Sequence, residues 1–85
     1  MSQTYSQIIV NRILSLCEEH GFSINQLAGM SGINNSTLDN IVHFKSSNPK
    51  IKTLHKIALA FSMTPAEFFD FEEMNSYSFD DQEED

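Results

Sequence analysis

Eighty-five residues, 40% of them hydrophobic and 11% aromatic, leave room for one domain with one small core and exclude a two-domain enzyme, a barrel or a full dinucleotide-binding fold. The formal charge of −7 divides unevenly: residues 1–64 hold all five basic residues (Arg12, Lys45, Lys50, Lys52, Lys56) against three acids (Glu18, Glu19, Asp39), whereas 65–85 hold nine acids and no base, so the total does not exclude a polyanionic partner for the first part. No stretch approaches the roughly 18 apolar residues of a membrane span, no basic segment precedes an apolar run at the N-terminus, and the single Cys17 can close no internal disulfide, which together predict a reduced, cytoplasmic setting with no membrane contact.

A first helix is predicted from about Ser6 to His20. Thr4 and Gln7 have the spacing of a capping box, Ile9, Ile13, Leu16 and Cys17 fall at helical intervals, and Gly21 is a stop. Ile8, Val10 and Leu14 widen the apolar face; they either pack inside as well or form a partner surface near the helix start. Ser23 and Gln26 make a second capping box, opening a short helix from Ile24 to Ser31 that Gly32 ends. A third helix starts near Asn34 or Asn35, both good N-caps. Its inward residues are Leu38, Ile41 and Val42, and Asn35, Ser36, Asp39, Asn40 and His43 fall on the other side.

Lys45 to Lys50 is polar and contains Asn48-Pro49, so it reads as a loop. Ile51, Leu54, Ile57, Ala58 and Phe61 repeat at three and four, giving a fourth helix. Thr64-Pro65-Ala66-Glu67 supplies an N-cap, a proline at the first helical position and a glutamate three on. A short fifth helix carrying Phe68, Phe69 and Phe71 follows, and residues 75–85 read as an acidic, disordered tail. The pattern predicts an all-α, five-helix bundle over residues 1–74.

Two short helices joined through Ser31-Gly32-Ile33 follow helix-turn-helix logic. Ala28 permits close approach, Gly32 suits a positive φ, and Leu27, Ile33, Leu38 and Ile41 can wedge the pair onto a shared core. Leu27-Ala28, Gly32-Ile33, Ser36-Thr37-Leu38, Ile41, Asn48-Pro49 and Ile57-Ala58 fall in one register without gaps. In that register the chain resembles the Cro/repressor-type helix-turn-helix family, also called the Xre family, over about Ile9 to Phe71. The resemblance implies a lambda repressor-like DNA-binding fold whose third helix reads the DNA major groove.

Carried over by position, Asn35, Ser36 and Asn40 fall where family members contact base edges, with Asn34 and Thr37 beside them near phosphates. Asparagine can pair bidentately with adenine, and Asp39 could accept from a cytosine amino group or only repel phosphate. His43 reads as a phosphate or base contact or as a solvated helix end. Lys45, Lys50 and Lys52 can reach the DNA backbone from the loop, and Arg12 falls where members touch phosphate. The third helix has no lysine or arginine, so a guanine-led code is not expected.

Several positions depart from the family pattern. Ile24 stands where many members have a phosphate-binding glutamine, Ser31 where an apolar residue is common, and Phe44 where a glycine follows the third helix. Cys17 and Val42 together replace an Arg–Glu pair, and an apolar contact can substitute for such a pair without loss of stability. Cys17 is expected as a buried thiol, since its neighbours Glu18 and Glu19 would not activate it. His20, His43 and His55 lie on three different helices, so no metal or other cofactor is expected. No catalytic set appears, and the chain is not read as an enzyme.

These features point to a DNA-binding transcriptional regulator, a repressor acting as a homodimer on double-stranded DNA in a bacterial or phage setting. The alternative is a protein-interaction module of the same fold, antitoxin-like or anti-regulator. The missing glutamine at position 24, the surplus phenylalanines and the acidic tail favour it, and its partner would bind the Phe-rich C-terminal helix or the tail.

Overall fold

The ends of the helices are set by side chains that close open backbone groups. In the computed structural model, which describes residues 4–43 and 49–79, the helices are α1 (Tyr5–His20), α2 (Ile24–Ser31), α3 (Asn35–Val42), α4 (Ile51–Ala60), α5 (Pro65–Phe69) and α6 (Glu72–Asn75). No strand occurs among the described residues. Each of the three expected capping boxes forms. The amides of Gln7, Gln26 and Glu67 donate to the hydroxyls of Thr4, Ser23 and Thr64 at 3.1–3.2 Å. The three side-chain oxygens accept back from the N-cap amides at 2.8 Å. Two otherwise orphaned donors are satisfied at each start.

Three C-termini close in the same way. Gly21 and Gly32 take left-handed φ values of 71° and 73°, and the next amide reaches back to the core: Phe22 N to Cys17 O at 2.9 Å, Ile33 N to Ala28 O at 3.1 Å. At the end of α4, Ser62 does the same work at φ 61°, with Met63 N bonded to Ala58 O at 2.9 Å. This Schellman closure tucks the following apolar residue under the helix it ends.

One core unites five of the six helices. α1 contributes Ile9, Val10, Ile13, Leu16 and Cys17; α2 and its turn contribute Leu27, Ala28 and Ile33; α3 contributes Leu38 and Ile41. Leu54, Ile57 and Ala58 of α4, with Phe61 and the Phe68 of α5, complete it. Cys17 and the half-buried Val42 both belong to this apolar mass, as expected for positions that hold no ion pair. Ile8 and Val10 are buried, whereas Leu14 is 42% exposed, so the wide apolar face of α1 is only partly consumed inside.

The C-terminal region differs from the expectation of one fifth helix carrying Phe71. α5 stops at Phe69, and Phe71 is extended (φ −144°, ψ 157°) as the N-cap of α6. The cause is visible in the hydrogen bonding. Had α5 continued, the carbonyls of Glu67 and Phe68 would accept from the amides of Phe71 and Glu72. Instead Arg12 Nε donates to Phe68 O at 2.9 Å, and Glu67 O accepts from both Arg12 Nη2 at 3.0 Å and the Asp70 amide at 3.2 Å. The chain turns at Asp70, whose carboxylate accepts from Asn75 Nδ2 at 3.0 Å, and restarts with Glu72 and Glu73 in the first turn, where negative charge suits the helix dipole.

Beyond α6 the chain runs back beside the start of α1. Tyr5 donates its hydroxyl to Met74 Sδ at 3.6 Å. Tyr77 and Phe79 lie 5.2 and 5.7 Å from the Tyr5 ring and 4.9 Å from each other. Within the 75–85 segment Tyr77 is thus half-buried and Phe79, though exposed, keeps ring contacts; residues 80–85, with the acidic run, lie outside the described residues.

Candidate nucleic-acid interface

Helix α3 is short and strongly two-sided. Leu38 and Ile41 are 0% and 2% exposed and fix one side to the core. At about 100° per residue, Ser36 and His43 form the opposite crest, Asp39 and Asn40 flank it, and Asn35 and Thr37 lie at its margins. All six are exposed. Asn34 is the N-cap: its Oδ1 accepts from Ser36 N at 2.7 Å, so its carbonyl oxygen is committed to the helix and its amide NH2 is left to donate outward.

The one acid on this face is not solitary. His43 Nδ1 lies 3.1 Å from Asp39 Oδ1 and 2.9 Å from the Asp39 carbonyl. The imidazole ends the helix over Asp39 and, when protonated, offsets a charge that would otherwise repel phosphate. Among the described residues the remaining crest carries only neutral amides and hydroxyls, a surface of donors and acceptors without fixed charge.

Lys50 and Lys52 sit at the start of α4. Lys50 is its N-cap residue, makes no side-chain cap, and no acid occupies the first turn. Both lysines are exposed. Cations at this end oppose the helix dipole, an arrangement that costs stability alone and suits an anion placed there. Lys45, the third lysine of the loop, lies outside the described residues.

Arg12 is engaged on α5. Its guanidinium is half-buried, bonded to the last carbonyls of α5 and stacked 4.9 Å from the centroid of Phe71. It acts as a C-terminal cap supplied from another helix, a role that sequence spacing did not disclose. The signal was present in α5 itself: five residues ending at Phe69, capped by Asp70 with no glycine and no base, leave carbonyls that must find a donor elsewhere. Ile24 is half-buried against the core and Gln26 is held in its capping box, so the start of α2 offers no glutamine side chain for a phosphate.

His20 meets Phe22 and Phe61 at tilted angles, 5.4 and 5.1 Å away, while those two rings stack on each other at 5.8 Å; His55 is exposed on α4. Cys17 is 5% exposed, and burial pushes its thiol above the ordinary range.

An exposed polar helix without lysine or arginine, held on a helix-turn-helix scaffold, defines a class, and the comparisons agree. Residues 12–73 match the model of the Cro/C1-type HTH DNA-binding domain, and the chain belongs to that family. The HTH-type transcriptional regulator SlrR of Bacillus subtilis (strain 168) is 36% identical over 67 residues, which cover 78% of this chain and 44% of that regulator. The chain thus spans less than half the length of that relative. The crystal structure of the prophage Lp1 protein 11 superposes with a TM-score of 0.79 at 25% identity, over 89% of this chain and all of the other. No described helix is long and apolar enough to cross a membrane.

Proposed function

We propose that the chain is a sequence-specific, dimeric DNA-binding regulator, acting as a repressor, whose α3 enters the major groove. The observation that carries this reading is the outer face of α3, six exposed polar residues on a helix anchored by Leu38 and Ile41. Asn35, Ser36 and Asn40 would meet base edges, where asparagine favours adenine. Asn34, Thr37, Lys45, Lys50 and Lys52 would meet phosphate, and His43 would meet phosphate or a base edge. Arg12 has no part in this contact set. The protomer measures 37 × 24 × 22 Å, a size that lets two copies present α3 to successive major grooves about 34 Å apart. The few cations per protomer give a modest salt slope, doubled in a dimer.

Selection of full-length protein against a random duplex pool at about 100 mM salt tests the reading, because phosphate-only binding is already weakened there. A two-fold symmetric motif is expected. Asn35→Ala and Asn40→Ala should each relax preference at a matched base by about 1–3 kcal/mol, and Lys50→Ala should weaken all sequences alike. An unenriched pool, or asparagine variants with unchanged preference, would remove α3 as the reading element. The interaction-module alternative draws on the acidic, aromatic stretch from residue 65 onward, and has its own physical basis there.

A further inference from the structure

Helix α4 is held to the core by Leu54, Ile57 and Ala58, and its other side carries two large apolar side chains in water. Ile51 is 72% exposed and Leu59 61%. At about 100° per residue the two lie within about 80° of each other around the helix, with His55 between them, and about 12 Å apart along its axis. Lys52 and Lys56 run along one edge of this stripe, and both they and His55 are exposed. Among the described residues none of these three has a hydrogen-bond or ion-pair partner for its side chain. The sequence holds no acid between Asp39 and Glu67. The start of the helix is open as well, with no side-chain cap at Lys50 and no acid in the first turn. Two apolar anchors and an unopposed positive charge thus share one helix face.

We propose that this face of α4 binds an acidic amphipathic helix of a partner protein. Apolar residues on one stripe of that helix cover Ile51 and Leu59, and its acids meet Lys52 and Lys56 along the edge. A further acid lies over the uncapped start of α4, where negative charge suits both the dipole and the open amides. Charge complementarity selects this occupant. DNA supplies negative charge but no continuous apolar surface, and leaves Ile51 and Leu59 in water. A second copy laid face to face on α4 brings four lysines together with no acid on either helix to answer them. Setting the acidic α5–α6 corner of another copy on this face is a head-to-tail contact, which closes no two-fold pair. The chain's own run from Asp80 to Asp85 carries charge but no apolar residue. The proposal adds a protein partner to the DNA reading and does not depend on it.

The test uses full-length, isotope-labelled protein titrated with a short helical peptide of leucines and glutamates, followed by amide chemical shifts. A copy of the peptide with glutamine for glutamate is the control. The glutamate peptide is expected to move Lys52, His55, Lys56 and Leu59 and to leave Asn35 and Asn40 in place. Ile51→Ser with Leu59→Ser, both at exposed positions, is expected to weaken binding about tenfold while keeping the folded spectrum. Lys56→Glu, which touches no apolar anchor, is expected to weaken it as well. Neutralising the distal acids by Asp80→Asn, Asp81→Asn, Glu83→Gln and Glu84→Gln is expected to leave the α4 shifts unchanged. Equal binding by the glutamine peptide, or indifference to the serine pair, would overturn the proposal. So would α4 shifts that follow protein concentration without peptide, which make a second copy the occupant, or α4 shifts on neutralising the distal acids, which make it the chain's own tail. DNA is absent from every sample, so the result is independent of the α3 reading.

Discussion

Two surfaces of this small molecule use exposed polar side chains in opposite ways. On α3 the amides and hydroxyls of Asn35, Ser36, Thr37 and Asn40 project from a helix whose other side is fully buried. At the corner where α1 meets α5 and α6, Arg12 bonds two carbonyls and stacks on an aromatic ring. Both carry residue types that could touch DNA. The first surface keeps its groups available for a partner; the second uses its one base to hold the fold. A family position therefore indicates a place on the scaffold, and the local hydrogen-bond accounting decides whether the side chain is free to act there.

The largest test of this contrast sets the two sides of α3 against each other. Leu38→Ala empties a site that is 0% exposed and should cost about 2–5 kcal/mol, a large share of the stability of so small a domain. Asn40→Ala, two residues on and on the outside, should change stability by less than about 0.5 kcal/mol. Urea titration of the two variants gives both numbers, and a large loss for Asn40→Ala would mean that the outer face is structural after all.

The second test falls on the other surface. Arg12→Ala removes the side-chain donor from the Phe68 carbonyl, leaves the Glu67 carbonyl with the Asp70 amide alone and uncovers Phe71, for an expected loss of about 2 kcal/mol. DNA affinity of the folded variant, measured well below its melting temperature, should be nearly unchanged. A phosphate role would instead lower the salt slope by about one without a comparable loss of stability, so the pair of measurements separates the two roles.

Much of the fold was legible because its signals are local. The three boxes at Thr4, Ser23 and Thr64, the proline at position 65 and the glycines at 21 and 32 act within a few residues of where they stand. The α3 face was legible from spacing for the same reason. What escaped was non-local: the break between α5 and α6 depends on Arg12, more than fifty residues earlier in the chain. The return of Tyr77 and Phe79 to Tyr5 depends on a meeting of chain ends. A run of Ser, Tyr, Ser and Phe beside many acids reads as solvated when its partner rings are unknown.

Cys17 probes the ground shared by both surfaces, since α1 packs against α3 on one side and α6 on another. Burial raises its thiol pKa in the folded state. The unfolded chain therefore loses this proton first as pH rises, and stability falls above the ordinary thiol range while staying flat below it. Cys17→Ala should be less stable at neutral pH through lost packing, and should lack this part of the alkaline decline. A thiol reagent at pH 8 should react slowly with the native protein and at normal speed in denaturant. Fast reaction in the native state would show that α1 opens locally and that the core beneath both surfaces is looser than its packing indicates.

The smallest expected effect lies at Ser62, which joins α4 to the corner built by α5 and α6. α4 ends in the same closure as α1, yet with a serine at φ 61° where α1 has Gly21 at φ 71°. A non-glycine residue in the left-handed region carries roughly 1–2 kcal/mol of strain, and glycine loses part of that gain through its greater freedom in the unfolded chain. Ser62→Gly should therefore raise stability by a net amount of about 0.5–1 kcal/mol, read as a higher urea midpoint at unchanged slope. The hydrogen bond from Met63 N to Ala58 O, which carries the chain from α4 toward α5, does not involve the Ser62 side chain. The approach of α5 to Arg12 should then persist, and the Arg12→Ala loss should be the same in both backgrounds. A destabilised Ser62→Gly variant, or a loss that changes with residue 62, would mean that this turn restrains the acidic corner through the serine itself.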